Sequence, residues 1–275
     1  MTRIVIAGVA RNCAANIRAE IDIVLKAFAH HTIERIVIVE SDSTDNSADV
    51  LCSWSNESEC NIALSLGQLA NIYPLRTERL AYCRNVYLNV FERHDYFGAD
   101  FFFVTDLDGI NTHLSAETID RSISFLTSTP GAAATANQLY KYYDIWTLRH
   151  PIWSPNDCWA SFHKLREIVG EVNAYRICIE SRMIHVDNSL PPIPVDSAFG
   201  GAGIYPTSIV RSCRYDGLLN GKEACEHVAF NADYLKNGGQ IYVVPYFINH
   251  DISEHVVNCE KFDQMISSAS MVNNG

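Results

Sequence analysis

The stretch FFFVTDLD, Phe101–Asp108, decides how the fold is read. Phe101, Phe102, Phe103 and Val104 form a short apolar run of the kind that marks a strand covered on both faces. The run leads directly into two carboxylates, Asp106 and Asp108. Burying such anions is costly unless something positive meets them. On extended backbone, residues i and i+2 point to the same side, so both acids can face one cation. Hard divalent ions such as Mg²⁺ or Mn²⁺ take oxygen ligands and commonly share them with phosphates. The rival reading of DLDG is a simple turn, because Asp and Gly are turn formers.

Working outward, RIVIAGV (Arg3–Val9) and RIVIVE (Arg35–Glu40) repeat the buried-strand pattern, and Ile62–Leu66 is a weaker third case. Between them, Asn16–His30 places Ile17, Ile21, Val24, Leu25 and Phe28 at helical spacing. SDSTDNSADVLCSW, from Ser41, opens with good cap residues and reads as a helix. Thr77–Phe91 has helical spacing too. Strands alternating with helices imply parallel strands joined by right-handed crossovers, hence an open α/β sheet. Ligands of such sheets lie beyond the carboxyl ends of the strands. Ala7–Arg11, Glu40–Asp45 and Asp106–Asp108 all fall there, so three polar clusters converge on one crevice. The second half is less regular. Ala132–Ala136 suggests a strand of small residues, Glu223–Leu235 a helix and Gln240–Val244 a strand, while residues 191–206 read as a Gly-rich loop.

The 275 residues show no repeats and no clean linker, and 48% apolar content is enough for a large core. A formal charge of −11 argues against a general nucleic-acid binder, which normally carries a basic face. The nine cysteines are scattered without a CxxC pair, as expected of reduced packing thiols. The N-terminus lacks a signal-peptide pattern, and no run approaches the ~20 apolar residues of a membrane span. A cytoplasmic chain without a transmembrane segment is the expectation. The absence of GxGxxG and GxxxxGK counts against dinucleotide oxidoreductases and P-loop enzymes.

RIVIAGVARNCAANI, IVIVESDSTDNSADVL, RLAYCRNVYLN and FFFVTDLDG, in that order, resemble the blocks of the GT-A fold nucleotide-sugar glycosyltransferases. YYDIWTLR, FGGAGIY and EACEHVAF are similar to segments of transferases of microbial or viral surface glycans, and the resemblance spans residues 3–250. It implies an α/β, Rossmann-like open mixed sheet flanked by helices. The whole would be one domain over residues 1–266, with a nucleotide-sugar half (1–110), an acceptor half (111–266) and a polar tail (267–275). The implied reaction is metal-dependent transfer of a sugar from a nucleoside-diphosphate sugar to a hydroxyl of a glycan or glycoconjugate, with inversion preferred over retention.

The resemblance also implies roles. Ala7, Arg11, Glu40, Arg84, Asp106, Leu107 and Asp108 would bind the donor, and Asp106, Asp108 and His250 would hold Mn²⁺ or Mg²⁺. Gly200 and Gly201 would form an acceptor loop, and Glu226 would be the catalytic base, with His227 second. Departures are visible: ESDS stands where the family often has consecutive acids, and Cys225 replaces the first acid before Glu226. Read alone, Arg84 and Glu226 could equally be surface helix residues, Arg76 and Arg79 solvated, and Asp45 a helix cap. The aromatic stretch holding Tyr140, Tyr142, Tyr143, Trp146, Trp153 and Trp159 suits a sugar groove but is as easily core. Two rivals stand beside the transferase. A catalytically inactive carbohydrate or nucleotide-sugar binder would release no diphosphate, and a sugar-nucleotide pyrophosphorylase would want more glycine after the first strand.

Overall fold

A computed structural model of the protein describes residues 1–253 and Val256. The domain boundary at 266 and the tail 267–275 lie outside the described residues. In chain order the first half runs β1 (Arg3–Ala10), α1 (Ile17–Ala27), β2 (Thr32–Glu40), α2 (Ser47–Ser55), β3 (Asn61–Ser65), α3 (Arg76–Arg93), β4 (Phe101–Asp106), α4 (Ala116–Ser128) and β5 (Ala132–Gln138). The second half continues with α5 (Cys158–Val169), α6 (Glu171–Cys178), β6 (Ile193–Val195), β7 (Ala202–Pro206), α7 (Thr207–Val210), β8 (Leu218–Leu219), β9 (Lys222–Glu223), α8 (Glu226–Lys236) and β10 (Gln240–His250).

Eight strands form one sheet in the order β3-β2-β1-β4-β7-β5-β10-β6. β1, β2, β3 and β4 run parallel, β7 runs antiparallel to both β4 and β5, and β6 closes the far edge antiparallel to β10. The sheet is therefore mixed, as expected of the fold class. The chain winds outward from β1 to β3, then returns to place β4 on the other side of β1. That reversal opens a crevice at the carboxyl ends of β1 and β4.

The phenylalanine run shows why the sheet is central. Successive side chains alternate between faces. Phe102 packs with Tyr87 and Phe91 of α3, ring centroids 5.8 Å apart in both pairs. Phe103 points the other way and meets Phe28 at 4.8 Å. The same alternation sends Val5, Val37 and Val104 into the layer holding α3 and α8, and Ile4, Ile6, Ile36 and Ile38 into the layer holding α1, α2 and α4. Each fully covered Phe contributes ~1.5–3 kcal/mol.

Three regions differ from the sequence reading. The helix expected from Ser41 starts at Ser47, because the preceding residues are used in loop-to-loop hydrogen bonds described below. The expected Gly-rich loop 191–206 contains β7, a central strand. The aromatic stretch leads into a helical hairpin, α5 and α6. Asp157 caps α5 by accepting from the Ala160 amide at 2.8 Å, and Gly170 joins the two helices at φ 81°.

Candidate active site

A cavity of about 1170 Å³ opens at the crevice, beyond the roughly 300–1,000 Å³ usual for small-molecule sites. Its walls come from the carboxyl ends of β1, β2 and β4, from one face of α3, from the start of α8 and from the 143–147 loop with the α5–α6 hairpin. The crevice inferred from the three polar clusters is therefore present.

The loops after β1 and β2 lock together. The Asn12 amide donates to Ser43 Oγ at 3.0 Å, and the Thr44 amide donates back to Asn12 Oδ1 at 2.7 Å. Cys13 N donates to Ser47 Oγ (2.8 Å) and Ala14 N to Asp45 Oδ2 (3.1 Å). Asp45 also accepts from the Ser47 hydroxyl and amide, contacts that hold its carboxyl below the usual range. The serines and Asp45 thus tie two loops together, a role beyond capping α2.

The acid that lines the cavity from the end of β2 is Asp42 rather than Glu40. Glu40 is 3% exposed, with one oxygen accepting from the Ser43 amide (3.0 Å) and the other from the Ser65 hydroxyl (2.5 Å). Both oxygens are engaged inside the protein, and Glu40 does not reach the cavity wall. Two residues on, a left-handed turn at Asp42 (φ 59°) brings its side chain to that wall. Asp42 Oδ1 accepts from the Ala70 amide at 2.8 Å, while Oδ2 has no hydrogen-bond partner and lies 3.9 Å from Arg79 Nε. Ala7 also needs correction. It lies mid-strand and fully buried, with β1 running on to Ala10, so Val9, Ala10 and Arg11 reach the cavity instead. Arg11 is exposed there and donates to the Asp42 carbonyl at 3.2 Å.

Arg84 is the hub. From α3, 2% exposed, it donates through Nε to Glu226 Oε1 (3.0 Å) and through Nη2 to Asp106 Oδ1 (2.9 Å). Its guanidinium lies over the Phe199 and Tyr215 rings at 5.4 and 5.7 Å. Burial opposes the charge, but Tyr87, Asp106 and Glu226 outweigh it and hold the pKa well above the ordinary arginine value. The neighbouring Asn85 faces elsewhere, exchanging two hydrogen bonds with the Tyr215 backbone. Glu226, 4% exposed and held by Arg84, is a counter-ion. Its Oε1 is engaged by that guanidinium. His227 is 2% exposed, stacked on Phe199 with centroids 3.7 Å apart; neither ring nitrogen has a hydrogen-bond partner, and Nε2 lies 3.8 Å from Glu226 Oε1.

Asp106, Leu107 and Asp108 all line the cavity. Leu107 anchors the turn, its side chain 4% exposed in the core next to Gly8, where a Cβ would lie 2.6 Å from Leu107 Cδ1. Asp108 is open to the cavity yet hemmed in by protein. Burial first, and then the charge of Asp106, raise its pKa to about 6. Two carboxylates that repel one another, only one of them bonded to a cation, make an oxygen-donor pair that fits Mg²⁺ or Mn²⁺ completed by phosphate oxygens and water. Among the described residues no group of three or more His, Cys, Asp or Glu is arranged to hold a metal ion. His250 does not join the pair. At the end of β10 its Nδ1 is 2.7 Å from Thr112 Oγ1, away from the cavity lining, so it braces the loop after β4.

The expectation for Gly200 and Gly201 is also revised. Both are buried with positive φ (65° and 85°) and neither lines the cavity. A Cβ on Gly200 would collide with the Ala136 carbonyl, and one on Gly201 would lie 2.9 Å from Ile110 Cγ1. Their glycine identity serves close packing against β5 and the β4 loop. Phe199, just before them, does reach the cavity, as do Tyr143, Trp146 and Trp159 from the aromatic stretch, whereas Tyr142 is core. Asp144, unremarked in the sequence, lines the cavity as well. Its Oδ2 accepts from the Gly200 amide (3.0 Å) and its Oδ1 from the Thr147 hydroxyl (2.8 Å).

No protein-family model and no curated protein matches the chain. Solved structures do. The mannosyltransferase PcManGT from Pyrobaculum calidifontis, solved with GDP-Man and Mn²⁺, is similar at a TM-score of 0.51 and 14% identity, over 90% of this chain and 56% of that one. S. aureus TarS in complex with UDP-GlcNAc is similar at 0.50 and 14% identity, over 94% of this chain and 61% of that one. At such identity the likeness is one of fold, and that fold is GT-A, the open mixed sheet of nucleotide-sugar glycosyltransferases. This chain spans little more than half the length of these two structures.

Proposed function

We propose that the protein is a metal-dependent glycosyltransferase that moves a sugar from a nucleoside-diphosphate sugar to a hydroxyl of a glycan or glycoconjugate, with inversion at the anomeric carbon. The observation that carries this reading is the Asp106–Asp108 pair at the end of a central parallel strand, opening into a large cavity at the sheet's switch point. The two similar structures, one with GDP-Man and Mn²⁺ and one with UDP-GlcNAc, support it.

The residues divide the work. Asp42, at the cavity wall, faces the nucleoside side of the site, while Arg79 beside it limits the cost of its charge. Arg11 and Arg76, both exposed at the cavity, meet the diphosphate. Asp106 and Asp108 would hold Mn²⁺ or Mg²⁺, which supplies positive charge where the leaving diphosphate becomes more negative. Arg84, fixed by Glu226 and over two aromatic faces, adds a second positive centre beneath Asp106. Trp146, Trp159 and Tyr143 offer aromatic faces to the sugars on the acceptor side.

The eight cysteines among the described residues are all unpaired, and no described helix is long and apolar enough to cross a membrane. The thiols support a reducing, cytoplasmic setting. The direct test incubates the protein with a panel of nucleoside-diphosphate sugars and Mn²⁺, then with EDTA, and measures released nucleoside diphosphate. Metal-dependent release from at least one donor is expected. Binding without release would favour the inactive-binder reading, and neither binding nor release would defeat the proposal.

A further inference from the structure

We infer that Asp144 is the general base of the proposed transfer, its carboxylate receiving the proton of the incoming acceptor hydroxyl. The inference rests on the glycosyltransferase reading above and goes beyond it by assigning the proton.

Four observations lead there. First, Asp144 is half-buried in the cavity wall and near enough to the metal-binding end to feel the charge of Asp106. Second, fixed donors hold the carboxylate: Gly200 N on Oδ2, Thr147 Oγ1 on Oδ1, and the Thr147 backbone as a third. A carboxylate has about four acceptor sites, so a lone pair remains while the rotamer is held. The glycine loop gains a purpose here: its left-handed turn, closed against Ala136, brings a backbone N–H to this acid.

Third, no cation among the described residues pairs with Asp144; of the other acids lining the cavity only Asp108, already placed in the metal pair, and the exposed Glu223 share that state. Glu226 and Asp106 share Arg84, Asp42 faces Arg79, and Asp157 meets Arg149 at 2.7 Å. An acid without a counter-ion keeps its affinity for a proton, and burial raises it further. Fourth, the competitors are closed off. Glu226 is held by Arg84, and the ring nitrogens of His227 are shut from solvent where the imidazole stacks on Phe199 and meets the edge of Tyr215.

The step balances without any outside oxidant or reductant. An electron pair of the acceptor oxygen forms the new bond to the anomeric carbon. The bond from that carbon to the diphosphate breaks, its pair leaving with the diphosphate. The acceptor proton moves to Asp144 and from there to water.

The test uses the full chain, Mn²⁺ and the donor that the wild type turns over from a panel including UDP-GlcNAc and GDP-mannose, with steady-state release of nucleoside diphosphate as readout. Asp144→Asn should lower kcat about 10²–10⁴-fold, the usual contribution of a positioned base, with donor KM and affinity for the free diphosphate unchanged. Thermal melting checks that the variant folds. Asp144→Ala should be equally slow and partly restored by added formate, a readout that a merely structural role would not move. His227→Phe should retain turnover. The inference is overturned if Asp144→Asn keeps wild-type kcat, if it raises only KM (the mark of a sugar-binding residue), if formate does not restore Asp144→Ala, or if His227→Phe is the inactive variant. A wild type that neither binds nor turns over any donor instead overturns the glycosyltransferase reading itself, and this inference with it.

Discussion

Arg84→Met offers a stability test of the hub with a magnitude set by the structure. The substitution keeps an apolar stem and removes the guanidinium that bonds Glu226 at 3.0 Å and Asp106 at 2.9 Å. Asp106 has a partly exposed side chain (30%) and retains some water, so its loss is small. Glu226, 4% exposed, is left as a buried charge without a partner. Breaking a buried pair from one side costs about 3–5 kcal/mol. At about 2–4 °C per kcal/mol for a chain near this size, the melting temperature should drop by about 6–20 °C. Adding Glu226→Gln to Arg84→Met should recover most of the loss, because removing both charges leaves nothing unpaired. Urea and thermal melts of the three proteins measure this. A single variant within ~1 kcal/mol of wild type at pH 8, the range of an exposed pair, or a double variant no better than the single, would refute the buried-hub account.

Two further outcomes follow from the same geometry. Asp42→Asn preserves a residue tolerant of the left-handed turn but removes the negative charge at the cavity wall; calorimetry should show nucleoside-diphosphate affinity falling roughly 10–100-fold, the worth of a charge-assisted hydrogen bond. Unchanged affinity would return the nucleoside contact to another residue. In native protein at pH 8, iodoacetamide followed by peptide mapping should label Cys52 first among the eight described cysteines, since it is exposed. Cys158 and Cys213, whose thiols burial pushes up to about 12, should stay unlabelled, and rapid alkylation of either would contradict the packing of that region.

The parallel half of the sheet was legible in the sequence because β-branched and aromatic runs can be buried on both faces only in such strands. FFFVTD reads correctly for that reason, and with it the placement of Asp106 and Asp108. β7 was not legible. AGIYP contains a glycine and a proline that lower strand propensity, and only the neighbours β4 and β5 make it a strand. The choice between Glu40 and Asp42 was hidden for another reason. It depends on one residue adopting φ 59° and on Ser65, twenty-five positions away, occupying Glu40. The place of His250 was not legible because β10 runs six residues past the expected Val244 and carries it to Thr112. Asp144 lies within YYDIWTLR, but nothing in that segment singled it out from its neighbours. Its place in the further inference comes from what surrounds it: the Gly200 amide, the Thr147 hydroxyl and, among the described residues, no paired cation.

The account stands on the Asp106–Asp108 pair drawing a divalent ion and the diphosphate of a sugar nucleotide into the cavity. The most direct measurement is the thermal stability of wild type and Asp108→Asn titrated with GDP-mannose and UDP-GlcNAc, and with free GDP and UDP, each with and without Mn²⁺. At a hundredfold excess over Kd a bound ligand stabilises the fold by about 2.7 kcal/mol. Wild type should gain that stability from at least one nucleotide only when Mn²⁺ is present, and Asp108→Asn should gain none. Equal stabilisation of both proteins, or no response of wild type to any nucleotide with Mn²⁺, would contradict it.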